Sequence, residues 1–305
     1  MTAATDQTAE RRDDLAVLAV VVGAIAMGAS PIFVRLADVG PFASAFWRAA
    51  LALPFLWAWM RWERSSPLVG DTNDRLPWRG ILLMGFFFAG DLFFWHLSIV
   101  NTTVANATFF ATLSPVFVLL AGWLIFKEKI SRNQTLGLVI CLSGGTLLLG
   151  TSIAFAPERI SGDAYGMLTG MFFAAYIITM GKTRLRGIPA GTVMFWSTAV
   201  TAAFLLPPAL LFEAHLFPQS WAGFWWLLIL AVIAQVGGQG LLSVALGKLA
   251  ASFSSLVIFL EGVAAAFLGW VVLAEALTPL QVAGAMLIIF GVVVARGRPS
   301  KSIDG

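Results

Sequence analysis

Apolar runs long enough to cross a lipid bilayer recur ten times along this chain, near residues 15–37, 42–60, 80–99, 102–126, 134–151, 164–181, 191–212, 222–246, 251–273 and 281–295. A helix needs about 20 mostly apolar residues to span the hydrocarbon core. The expected fold is therefore an all-α integral membrane protein with ten transmembrane helices. Composition agrees: of 305 residues, 59% are apolar and 11% charged, against about a quarter charged in soluble domains. The connections are mostly short and leave no room for an appended soluble domain. The first run follows a polar tail, 1–14, exceeds a signal-peptide core in length and lacks a clear small-x-small cleavage site, so it reads as a retained span.

Lysine and arginine sort by loop parity. Arg11 and Arg12 precede the first run; Arg61, Arg64, Arg75 and Arg79 follow the second; Lys127, Lys129 and Arg132 follow the fourth. Lys182, Arg184 and Arg186 follow the sixth, Lys248 the eighth, and Arg296, Arg298 and Lys301 the tenth. That places sixteen of nineteen basic residues on one face, with Arg159 alone on the other and Arg35 and Arg48 inside spans. Cytoplasmic loops retain Lys and Arg, so both termini, including the tail 296–305, are expected in the cytoplasm of a cell with the chain in its inner (plasma) membrane.

A shift of 147 residues lays the second half on the first. Gly122-Trp123 falls on Gly269-Trp270, Glu128 on Glu275, Gln134 on Gln281, Gly137 on Gly284 and Gly144 on Gly291. Gly90 falls on Gly237 and Gly23 on Gly170. Two repeats of five helices, 15–151 and 164–295, follow. An odd number of spans per copy inverts the second copy in the membrane, the arrangement many secondary transporters build around a midplane site.

These residues carry a resemblance. The stretch from Gly90 to Leu149, with Pro115-Val116-Phe117, then Glu128 after the span, then Gly137, Gly144 and Gly145, resembles the EamA-type module of the drug/metabolite transporter superfamily. The second copy follows more loosely, with Glu261-Gly262-Val263 where the first has Ser114-Pro115-Val116. The resemblance covers about 15–295 and implies ten helices, a central cavity and export of metabolites from a bacterial cell. The pattern is similar to bacterial amino-acid exporters, including aromatic amino-acid exporters of the YddG type.

A charge deep in a bilayer is expensive and asks for a reason. Arg35, Arg48, Asp91, His96 and Glu261 fall inside spans. At about 1.5 Å per residue, Arg48 and Asp91 lie roughly 9 and 12 Å below the outer surface, where they can pair, and Glu261 lies close to the midplane. Asp91, His96 and Glu261 suit proton coupling or a substrate amine, and Arg48 suits a carboxylate. The competing reading is a buried pair that fixes packing, with Glu261 neutral. Gln235, Gln239 and Ser243 share one helix face at i, i+4, i+8, which either lines the cavity or bonds between helices; Asn106 has the same two readings. Trp95, one turn from Asp91, can stack an aromatic or cationic solute, and Tyr176 is a further interior aromatic; packing is the alternative for both. Pro31, Pro54, Pro115 and Pro207-Pro208 are expected to bend or break their spans. Pro115 and its counterpart Gly262 mark a hinge or the floor of the site.

Other classes are excluded by what the chain lacks. No G-x-x-x-x-G-K-[ST] loop is present to hold ATP, and no zinc or serine-nucleophile motif to support an enzyme. His96, His215 and Cys141 make no metal cluster, no cofactor is implied, and a net charge of +3 is too small for nucleic acid. The reading is a secondary transporter in the lipid bilayer, exporting small molecules by alternating access, amino acids first among them. Other metabolites or cationic drugs are the alternative cargo, and a non-transporting scaffold or receptor the alternative class. Protons suit the coupling, and a facilitator tolerates the same residues.

Overall fold

The computed structural model describes residues 2–65, 76–102, 104–149, 157–274 and 277–296, with side chains from residue 14 onward except at 100, 104–106 and 273. Arg75, Glu275, Arg298 and Lys301 lie outside the described residues. Every described element is helical, as the unbroken apolar runs require, since a backbone in hydrocarbon must satisfy its own polar groups. In the first half these are α1 (Thr2–Gly28), α2 (Ser30–Leu36), α3 (Pro41–Ala50), α4 (Leu53–Ser65), α5 (Trp78–Asn101), α6 (Val104–Ala111), α7 (Ser114–Leu124) and α8 (Arg132–Leu149). The second half has α9 (Ile160–Arg184), α10 (Ala190–Phe212), α11 (Trp221–Leu230), a π-helical segment (Ala231–Gln239), α12 (Gly240–Leu246), α13 (Ala251–Val257), α14 (Phe259–Leu273) and α15 (Pro279–Arg296). The helix α1 runs on through the polar tail to Thr2.

Taken across their breaks, eight described segments are long and apolar enough to span a bilayer, where the sequence predicts ten. The other two expected spans are present as helices of lower apolarity. The pair α3–α4 carries Arg48 and ends on Arg61, Glu63 and Arg64, and α8 opens on Arg132-Asn133-Gln134 and is described over 18 residues.

Proline sets most of the breaks. A turn at Ala29 precedes Pro31, one at 51–52 precedes Pro54, and one at 112–113 precedes Pro115. Each proline denies an N–H to the carbonyl four residues back. The break between α13 and α14, at Ile258, has no proline; it lies one position from the mate of the α6–α7 break. Pro207 and Pro208 lie inside α10 without breaking it.

Contacts between the halves come in matched pairs. α5 packs along α9, and α1 packs along the π segment and α12. α9 meets α6 and α7, and α1 meets α14. α8 and α15, equivalent helices, pack most extensively. They run antiparallel. A Cβ on Gly137 would stand 2.7 Å from the Gly291 carbonyl, and one on Gly144 would stand 2.7 Å from the Gly284 carbonyl. Between them the Cys141 thiol faces the carbonyl of Ile288, its own counterpart, at 3.6 Å. Lys127 and Ala274, also counterparts, both take left-handed conformations at φ 54° and 55°, uncommon without glycine.

α3–α4 and α10 are likewise equivalent and antiparallel, and a carboxylate closes each end of the pair. Glu63 accepts the Gly191 N–H at 2.7 Å, at the start of α10. Glu213, just past the end of α10, accepts the Phe42 N–H at 2.6 Å, at the start of α3. Free N–H groups and the positive pole of a helix N-terminus favour a carboxylate there. Asp14 and Arg296 form an exposed salt bridge that sets the start of the first span beside the end of the last.

Candidate functional site

The helix breaks converge on one cavity of about 140 Å³. α7 begins at its wall with Ser114-Pro115, α2 with Ser30-Pro31, and α14 brings Phe259, Glu261 and Gly262 from its first turn. Met27 and Ala111, whose carbonyls lose their helical donors to Pro31 and Pro115, also line it. Interrupted helices at corresponding positions of two repeats are where transporters of this architecture hold their cargo.

Seven of the residues singled out from the sequence meet there: Arg48, Asp91, Trp95, Gln239, Glu261, Pro115 and Gly262. Arg48 stands in the last turn of α3 and is 9% exposed. Its Nε donates to Gln235 Oε1 at 3.1 Å, and Gln235 Nε2 donates to the Thr198 hydroxyl at 3.2 Å. Its guanidinium carbon lies 5.6 Å from the centre of the Phe88 ring. The expected pairing of Arg48 with Asp91 is not made. Among the described residues no salt bridge or hydrogen bond engages the side-chain carboxyl group of Asp91 or of Glu261. Gln235, from the π segment, holds the Nε edge, and cation and carboxyl groups line the same cavity without closing on one another. The Gln239 Oε1 is buried, without a hydrogen-bond partner, and so is the Ser30 hydroxyl. Both residues line the cavity.

Three further predicted residues stand behind this lining. Gln235 is the bracket for Arg48 rather than a lining group. Tyr176 is fully buried and stacks on Phe88 at 4.7 Å and on Phe173 at 5.9 Å, backing two rings of the cavity wall. His96 is 2% exposed and its Nδ1 meets the Leu92 carbonyl at 2.5 Å. Its Nε2 is buried without a partner, with Phe42 and Trp95 against the ring. The side chain of Asn106 lies outside the described residues. Ser243 is buried away from the cavity, and its carbonyl accepts from Arg184 at 2.8 Å.

The sequence reading did not select Ser30, Thr108, Thr112, Ser114 and Thr169, which supply the neutral polar groups of the wall. Thr112 and Thr169 donate to carbonyls three and four residues back, Phe109 at 2.7 Å and Tyr165 at 3.1 Å. Only Ser114 had a signal available, because it is the repeat counterpart of Glu261.

The EamA-like transporter family model matches residues 14–150 and again 160–297. The chain belongs to the EamA-like transporter family. This EamA-like protein is similar to an uncharacterized transporter of Archaeoglobus fulgidus, 28% identical over 185 residues, which are 59% of this chain. The chain spans 62% of that relative's length. A second transporter of the same organism, also described as uncharacterized, is 25% identical over 91% of this chain and 94% of its own. The uncharacterized transporter YxxF of Bacillus subtilis is 24% identical over 82% and 79% respectively. One crystal structure superposes with a TM-score of 0.75 over 95% of this chain and 96% of that one; at 18% identity the likeness is one of fold. The EamA-like protein is a multi-span transporter and not an enzyme.

Proposed function

We propose that this EamA-like transporter is a secondary transporter that exports small metabolites, amino acids and aromatic ones foremost, by alternating access. The observation that carries the reading is the cavity: one guanidinium and two carboxyl groups face a shared space walled by Phe88, Trp95, Phe173 and Phe259, with no ion pair among them. Arg48 suits a carboxylate, Asp91 or Glu261 an ammonium, and the Gln239 oxygen a further donor. The cavity volume is close to the roughly 150 Å³ that takes one benzene ring in an engineered apolar cavity. Room for the zwitterionic end comes from motion at the breaks beside Pro115 and Gly262, which we take as the hinge.

We further read the chain as ten spans in two inverted repeats, residues 15–151 and 164–295, with both termini cytoplasmic in a bacterial inner membrane. Antiparallel packing of equivalent helices, α8 with α15 and α3–α4 with α10, supports the inversion, and the sorting of basic loops supports the orientation. Two carboxyl groups against one guanidinium favour a second cargo class, cationic aromatic amines.

The test is uptake of radiolabelled amino acids, led by phenylalanine and tryptophan, into liposomes holding the purified protein, against empty vesicles. Saturable uptake with mutual competition among aromatic members is expected. Phenethylamine uptake without amino-acid uptake would assign the cationic class. Flat traces for both would overturn the substrate reading. An imposed proton gradient that raises uptake identifies protons as the coupling ion, with Asp91, His96 and Glu261 as the candidate carriers, and unchanged uptake makes the protein a facilitator.

A further inference from the structure

On the lipid-facing surface, α7 and α9 diverge and leave a groove of about 410 Å³. Phe87, Phe117, Ala121, Ala175, Ile178 and Thr179 form much of its wall. The alanines make the hollow, while large side chains such as Leu124, 62% exposed, and Met171, 48% exposed, stand on its rim. Nothing in the wall calls for water: the Thr179 hydroxyl is satisfied by the Ala175 carbonyl at 2.7 Å. In a bilayer such a hollow is filled by hydrocarbon.

One end of the groove is charged. Phe126 closes it, and the Lys182 ammonium sits 3.0 Å from the centre of that ring. Ala175, Ile178 and Lys182 fall on one face of α9 at helical spacing, so the cation tops the same wall that builds the hollow. Lys182 is exposed, and among the described residues no carboxylate forms a salt bridge with it. Lys127 and Lys129 follow Phe126 directly in the loop. The carboxylate of Glu128 turns back over Gly122, 3.1 Å from where a Cβ there would stand.

We propose that this groove is a binding site for an anionic phospholipid, one acyl chain lying between α7 and α9 and the phosphate meeting Lys182 and Lys127. Hydrocarbon alone makes no choice between lipids, and the basic mouth supplies it. Lysines at a membrane surface attract anionic headgroups, and basic pockets between transmembrane helices hold them. A zwitterionic lipid brings its own cation and gains less. The aromatic ring under Lys182 holds the ammonium at the mouth without neutralising it. The same two helices carry Ser114 and Thr169 to the central cavity, so a lipid in the seam touches elements that line the site, yet the proposal stands apart from the identity of the cargo.

The experiment uses the full chain, purified and stripped of lipid in detergent, titrated with phosphatidylglycerol or with phosphatidylcholine of the same chains. Retained lipid is read by native mass spectrometry and the melting midpoint by fluorescence. Phosphatidylglycerol is expected to be retained and to raise the midpoint by a few degrees, with phosphatidylcholine far weaker. Lys182→Gln, a surface change, should weaken apparent affinity about fivefold, the equivalent of roughly 1 kcal/mol for one lysine. Ala175→Trp, which fills the hollow and leaves Lys182 in place, should abolish retention. Equal retention of both lipids, or wild-type retention by both variants, would overturn the proposal. So would glycerol 3-phosphate reproducing the full midpoint shift, because the site would then hold a phosphate and no chain.

Discussion

Arg48 places a permanent charge inside the bundle, and its Nε edge is held by an amide rather than by an acid. Gln235, braced by Thr198, fixes that edge and leaves the remainder of the guanidinium to the cavity. Gln235→Leu should therefore disturb carboxylate binding in particular. A hydrogen bond to a charged group is worth about 1.5–3 kcal/mol, so KM for a carboxylate-bearing substrate should rise about tenfold or more. Paired uptake of phenylalanine and phenethylamine checks this; equal losses for the two would show general damage and sink the assignment. Charges such as Arg48, Asp91 and Glu261 were legible in the sequence because lipid makes them conspicuous. Hydroxyl groups were not: Thr112 and Thr169 satisfy themselves on carbonyls three and four residues back, so their presence in a span carries no signal of what they face. Nor could spacing along a chain show that Arg48 would find Gln235 before Asp91, because that choice is made by helices 187 residues apart.

At the scale of elements, the α8–α15 seam is made by the absence of side chains. Without a hydrophobic drive between helices in lipid, close van der Waals approach is what associates them, and small residues permit it. Gly144→Ala would set a methyl group 2.7 Å from the Gly284 carbonyl, whereas at Gly145 the nearest neighbour, a Phe259 ring atom, is 3.8 Å away. Gly144→Ala is expected to lower stability by about 1–3 kcal/mol, as overpacking does, and Gly145→Ala to leave it unchanged. Thermal melts of the two in detergent decide the point, and similar melts would count against the seam. The offset of 147 residues exposed these glycines, and proline exposed three of the helix breaks. The break at Ile258 has no local marker beyond the repeat. The π segment holds Gly237-Gly238, a pair that permits close helix approach or local unwinding. Pro207 and Pro208 did not mark a break: α10 runs on to Phe212, and the donors they remove fall in its last turns.

For the whole molecule, the Asp14–Arg296 salt bridge sets the start of the first span beside the end of the last. A cysteine at exposed Arg186 should react with an impermeant maleimide only from the cytoplasmic side, and one at exposed Gln219 only from the other. The native Cys141 is buried and adds little background. Labelling of both from one side would refute the inverted reading. The helical, multi-span character was legible at this scale, since span length is summed over many residues and survives single errors. What stayed hidden is the count of strongly apolar segments: α3–α4 and α8 carry charged and polar residues that thin their hydropathy while still packing as helices.

The pairing of Gly137 with Gly291 and of Gly144 with Gly284, with Cys141 and Ile288 opposite one another, makes the seam isologous: each side offers the other the same patch. Such a surface is self-complementary. A half-length ancestor, inserted in both senses, would have met its own copy along this line without any second surface having to be invented. The two halves differ where Ser114 of one and its counterpart Glu261 of the other both line the cavity.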